Sequence, residues 1–129
     1  MASVLKQIIL AANPDAVWEA VCDFGAPHTR MAPGVLADCR MEDGERVVSF
    51  VNGLVLRERL LDIDEHERRL AYTARGGSAS YHHASFRVEP DGEGTRLSWR
   101  VDLLPDEIAP GVSGLMDQVM AAIKAKFDG

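Results

Sequence analysis

Several large classes of protein are excluded by what this sequence has little of. Only two cysteines occur, Cys22 and Cys39, whereas a small secreted domain usually carries more, at staple-like spacing. The expectation is a cytoplasmic chain with both thiols reduced and packed as small apolar groups. The longest early apolar run covers residues 8–12. It is too short for a signal-peptide core or a membrane span, so no stable membrane anchoring is expected. Basic charge is also scarce: 14 lysines and arginines stand against 20 aspartates and glutamates, a formal net charge of −6. The arginines are spread along the chain, so no patch for nucleic acid and no polybasic membrane segment is visible.

Signatures of common chemistry are missing as well. No cysteine or histidine pair has zinc spacing. His82 and His83 are adjacent, which puts them on opposite faces of a strand, so they do not readily chelate one metal. There is no P-loop and no serine nucleophile elbow. Gly92-x-Gly94 begins like a dinucleotide fingerprint, but it lies between two strands with no helix after it and reads as a hairpin. Neither a metal nor a cofactor is expected. No repeat or low-complexity segment interrupts the chain.

What is present fits one domain over residues 1–129. Apolar residues make up 47% and charged residues 26%, the balance of an ordinary globular protein rather than a disordered one. A β-rich stretch, Ala2–Leu10, ends at Asn13-Pro14. Asn13 suits an N-cap, Pro14 the first helical position and Asp15 the positive helix end. Val17, Trp18, Val21 and Cys22 recur at helical spacing, and Gly25 reads as a stop. Residues 25–34 form a loop or a broken short helix.

The period then changes from helical to alternating. Turn signals separate six strands at 35–42, 45–51, 54–63, 69–75, 79–89 and 96–104. The connections are too short for helices, so neighbours pair antiparallel. After Pro105 one apolar stripe runs through Val112, Leu115, Met116, Val119, Met120, Ile123 and Phe127, and the last helix is the element long enough to cover the sheet.

Alternation assigns the faces. Leu97, Trp99, Val101 and Leu103 face inward, as do Phe86 and Val88. Counting back by two places Ala84 and His82 inside and His83 and Tyr81 outside; a bulge between Tyr81 and Phe86 would reverse this. Leu70, Tyr72 and Ala74 face in. A two-residue turn at Asn52-Gly53 pairs Val51 with Leu54, Ser49 with Leu56 and Val47 with Glu58, leaving Arg46, Arg57 and Arg59 outside. Glu58 is then a lone carboxylate on an apolar wall, near Tyr72 and roughly 10 Å from His82 at the usual strand spacing of about 4.8 Å.

A few polar groups on an apolar wall make a ligand pocket. Desolvation also favours the neutral form of a carboxyl group, which suits acid–base chemistry and makes Glu58 and His82 the catalytic candidates. The competing reading has Glu58 paired with a nearby arginine and His82 as a satisfied core histidine. Ligand-binding candidates are Ser49, Leu56, Tyr72, Ala84, Phe86 and Trp99 on the sheet. Leu115, Val119 and Ile123 are the candidates on the last helix.

Pro14-x-x-x-Trp18 before Asp23-Phe24-Gly25, Gly44 and Arg46, Glu58-Arg59-Leu60, Tyr72, and Phe86-x-Val88 before Asp91-Gly92-x-Gly94-Thr95 and Trp99 occur in an order that resembles the START-like superfamily. The branch they resemble is that of the polyketide cyclase/dehydratase-like (SRPBCC) proteins. The resemblance covers nearly the whole chain. It implies an α+β helix-grip fold: a seven-stranded curved antiparallel sheet wrapped around a long C-terminal helix, in the order β-α-(short α)-β6-α. It also implies a cavity for a hydrophobic molecule, and no universal catalytic residue. Two positions depart from the family pattern. Met31 stands where a tryptophan is frequent, at the cavity mouth, which adds it to the ligand-binding candidates. His82 stands where an aromatic residue, often tyrosine, is common.

Three functions follow as expectations. The first is binding or carriage of a small hydrophobic molecule such as a lipid or polyketide. The second is a cyclase- or dehydratase-like reaction using Glu58 and His82. The third is a homodimeric partner-binding module without a ligand. The chain is expected as a monomer or a homodimer.

Overall fold

Local signals at the first turn set the start of the fold. In the computed structural model, which describes residues 1–129, strand β1 (Ala2–Leu10) leads into helix α1 (Pro14–Cys22). The Asn13 side chain accepts a hydrogen bond from the Ala16 amide at 2.9 Å. Pro14 occupies the first turn, where no amide is needed. The helix ends at Cys22, and Gly25 does not take the left-handed conformation of a helix stop. A one-turn helix, α2 (Pro27–Arg30), follows.

Six strands then run in sequence: β2 (Leu36–Glu42), β3 (Glu45–Phe50), β4 (Val55–Asp64), β5 (Arg69–Arg75), β6 (Tyr81–Asp91) and β7 (Gly94–Leu104). A 3-10 turn at Asp106–Ile108 introduces the long helix α3 (Ala109–Asp128). The strands make one antiparallel sheet in the order β1-β7-β6-β5-β4-β3-β2. This is the α+β helix-grip arrangement expected of the sequence.

The β6–β7 ladder runs unbroken from Tyr81↔Leu104 to Asp91↔Gly94, so no bulge reverses β6. His82 therefore shares the inner face with Ala84, Phe86 and Val88, and His83 lies outside. Leu97, Trp99, Val101 and Leu103 are buried opposite them. At Gly94 a Cβ would stand 2.2 Å from the Leu10 carbonyl oxygen, so the close approach of β7 to the end of β1 requires glycine.

Helix α3 buries Met116, Val119, Met120 and Ile123 and packs most closely against β1. Its last turn is tied down there. Lys124 Nζ donates to the Ile9 carbonyl at 2.7 Å, and Asp128 accepts from the Ala11 amide at 2.8 Å. Because the helix leans on one edge of the sheet, its first half stands away from β3–β6.

The β3–β4 hairpin departs from expectation by one residue. The observed pairs are Arg46↔Glu58, Val47↔Arg57, Val48↔Leu56 and Ser49↔Val55. A two-residue turn of the expected type needs positive φ at both central residues. Gly53 has φ +95°, but Asn52 does not take the left-handed conformation. The Asn52 side chain instead accepts from the Leu54 amide at 3.0 Å, the Gly53 amide donates to the Phe50 carbonyl at 3.0 Å, and the Phe50 amide donates to the Leu54 carbonyl at 2.8 Å. The loop is thus three residues long, 51–53. A one-residue slip moves every side chain of β3 to the other face. Arg46, Val48 and Phe50 point inward, whereas Val47 and Ser49 point outward.

Candidate functional site

The interior has two adjoining parts. Between the first half of α3 and strands β3–β7 lies a solvent-open cavity of about 700 Å³. Its mouth is framed by the β3–β4 loop, the β5–β6 loop and the start of α3, with Asn52, Ser78 and Glu107 at the rim. Gly111 and Gly114 line the helical side, and a Cβ added at either would meet nothing within 4 Å. Deeper, beneath α2, is a second space of only about 50 Å³. Phe50, Glu58, Tyr72 and Trp99 border both parts.

An aromatic wall runs along this border. Phe86 and Trp99 are directly opposite on β6 and β7, so their rings stack with centroids 4.9 Å apart and planes 14° from parallel. Tyr72 lies 6.3 Å from Phe86, and the His82 ring 5.9 Å from Tyr72. Trp99 Nε1 donates to the Tyr72 hydroxyl at 3.1 Å. Burial pushes the Tyr72 phenol far above its ordinary range, so this hydroxyl stays neutral.

At the deep end the competing reading of Glu58, pairing with a nearby arginine, is the one found, and the arginine is Arg46. Arg46 and Glu58 are only 7% and 6% exposed, and Arg46 Nε donates to Glu58 Oε1 at 2.7 Å. Arg46 Nη1 donates to the Phe24 carbonyl at 3.2 Å. The guanidinium also sits 3.9 Å from the centre of the Phe24 ring and 5.2 Å from that of Tyr72, within cation–π range. Glu58 is therefore held by an arginine and not left as a lone carboxylate. A two-residue turn puts Arg46 on the outer face, and the three-residue loop brings it in. The signal for this in the sequence is the row Arg46, Val48, Phe50, which is as apolar as the row Val47, Ser49, Val51.

At the wide end His82 is set differently. The Ala74 amide donates to His82 Nδ1 at 3.1 Å, and the Thr73 hydroxyl donates to the His82 carbonyl. Burial lowers the His82 pKa below that of an ordinary histidine, with a further contribution from neighbouring His83. The imidazole is neutral at neutral pH.

The other candidates divide between the two parts. Leu56 and Leu115 line the wide cavity with His82. Met31, Phe86, Val119 and Ile123 line the deep space. Ala84 faces inward but is fully buried between Tyr72 and Val101 and reaches neither space. Ser49 is a correction, because the three-residue loop turns it to the outer face opposite Val55. No group of three or more His, Cys, Asp or Glu side chains is placed to hold a metal ion. Cys22 and Cys39 are not joined, and burial raises the Cys22 thiol to about 11. No helix is long and apolar enough to cross a membrane.

A curved sheet gripping one helix over an apolar cavity defines a helix-grip protein. The chain belongs to the polyketide cyclase/dehydrase and lipid transport family, whose profile matches residues 1–128. No curated protein matches it in sequence. Among solved structures, one from Thermobifida fusca is 27% identical, with a TM-score of 0.79 over 99% of this chain and 91% of that one. A protein from Bacillus thuringiensis reaches 0.85 at 15% identity, covering 98% of each chain. A norcoclaurine synthase point mutant from Thalictrum flavum, in complex with a transition-state analogue, reaches 0.68 at 20% identity over 96% and 92%. The last two likenesses are of fold.

Proposed function

We propose that this chain is a single-domain binder of a small, largely apolar molecule held between the sheet and α3. The observation that carries the reading is the cavity of about 700 Å³, within the size range of small-molecule sites. The Tyr72 and Trp99 rings, Leu56 and Leu115 supply apolar lining, beside polar side chains such as Asn52, Ser78, His82 and Gln118. The glycines of α3 leave room where larger side chains would fill the space. Family membership supports the same class of ligand. Native mass spectrometry of the purified protein, with extraction and identification of bound material, tests the reading. A retained apolar molecule is expected. An empty protein that also binds no hydrophobic probe would overturn it and favour the partner-binding module.

A second reading is a cyclase- or dehydratase-like reaction. It is favoured by one observation: Glu58 and the titratable His82 border the same cavity. Accumulation of a different bound species in Glu58→Gln and His82→Phe would support it. Identical extracts from the wild type and both variants would count against it.

A further inference from the structure

The wide cavity contains a polar group whose hydrogen-bonding role is dictated by the backbone beside it. Ladder pairing between β5 and β6 ends at Tyr72↔Ala84. Beyond that point side chains take over: the Thr73 hydroxyl reaches the His82 carbonyl, and the Ala74 amide reaches the imidazole Nδ1. An N–H can donate only to a ring nitrogen that carries no proton. The single proton of the neutral ring therefore sits on Nε2. That nitrogen has no partner within the protein, while the ring lines the cavity beside Tyr72.

We propose that His82 Nε2–H is the hydrogen-bond donor that orients the ligand, and that the cavity selects apolar molecules bearing a neutral acceptor oxygen such as a ketone, ester or ether. The proposal rests on the ligand-binding reading and names the ligand chemistry of that site. The charged groups on the lining agree with a neutral acceptor, and Asn52, Ser78 and Gln118 are further uncharged polar side chains there. Glu107 at the rim disfavours an anionic head group, Glu58 at the far side is neutralised by Arg46, and Arg75, also on the lining, is engaged by Glu45 at 2.8 Å. Trp99 donates to Tyr72 rather than toward the ligand space. Burial keeps the His82 ring neutral, so its tautomer persists through the physiological range.

A matched pair of probes separates this role from simple apolar burial. 2-Acetylnaphthalene and 2-ethylnaphthalene have nearly the same shape, and only the first carries an acceptor oxygen. Their Kd ratio is measured in the wild type and in His82→Phe. The variant is expected to lose about five-fold of the wild-type preference for the ketone, the size of one net neutral hydrogen bond. ¹⁵N NMR of the wild-type imidazole provides a readout that does not depend on the variant folding. It should show the Nε2–H tautomer, with Nε2 perturbed by the ketone and not by the hydrocarbon. An unchanged ratio, or an Nδ1–H tautomer, with both probes bound would overturn the role of His82 and leave the binding reading standing. Failure of both probes to bind would overturn both.

Discussion

The two ends of the interior treat their polar groups in opposite ways. At the deep end Arg46 and Glu58 satisfy one another, and the space left is about 50 Å³. At the wide end His82 satisfies one backbone amide and keeps one ring nitrogen free, facing about 700 Å³. A buried charge must be neutralised where it lies, because desolvation of an unpaired ion is costly. A neutral imidazole carries no such penalty and can present an unused donor to a ligand. Polarity at the deep end is thus structural, whereas at the wide end it is available.

Breaking the deep pair gives the largest expected effect. Arg46→Met leaves the Glu58 carboxylate buried without its partner and should lower stability by about 3–5 kcal/mol, measured by urea denaturation. The double variant Arg46→Met/Glu58→Leu should recover most of the loss, since apolar groups can replace a buried pair at little cost. A double variant no more stable than the single one would show that the guanidinium matters through Phe24 and Tyr72 instead.

The wide end is probed by pH. The folded-state pKa of His82 is lowered, so below the ordinary histidine value of about 6.5 the unfolded chain binds the proton more readily. Stability should therefore rise with pH from the lowered value up to about 6.5 and level off above it. His82→Phe should remove this slope, at the separate cost of about 1–3 kcal/mol for leaving the Ala74 amide without its acceptor. The lowered carboxylates Glu42, Glu45, Asp102 and Asp128 lose their contribution as pH falls through the acid range, and that part of the slope persists in the variant. A slope identical in the variant would sink the assignment.

Two smaller tests sharpen the contrast. Gly114→Ala adds a methyl group to open space on α3 and should stabilise the helix by about 1 kcal/mol without displacing any neighbour. A destabilised variant would mean that the cavity is closed against that helix face. Ser49→Ala should leave both stability, within about 0.5 kcal/mol, and affinity for 2-acetylnaphthalene unchanged. A weakened affinity would restore the two-residue turn and put Ser49 back on the inner face.

The hairpins on either side of β3 show how far local reading extends. At Asp43-Gly44 both residues have positive φ, 54° and 78°, and Glu42 pairs with Glu45 across a two-residue turn. Asn52-Gly53 has a similar dipeptide but closes a three-residue loop. There the Val51 amide is drawn to the Val35 carbonyl at 3.0 Å, a contact with a segment outside the hairpin. Turn propensity alone does not encode that contact. Its consequence reaches the site, because it carries Arg46 inside and Ser49 outside. The inward placement of Tyr72, His82, Phe86 and Trp99 was legible, since each depends only on the alternation of its own strand.

By itself the sequence determined the order of elements, the inner faces of β5–β7 and the buried stripe of α3. These follow from periods of two and of 3.6 residues, properties of one segment at a time. The tertiary structure alone decided the pairing of Arg46 with Glu58, the tautomer of His82 and the size of the cavity. Each of those depends on how far one segment stands from another: a register across two strands, an amide facing a ring, a helix leaning on one edge of the sheet. Such distances are set by the closing of the whole chain, so no single stretch of residues specifies them.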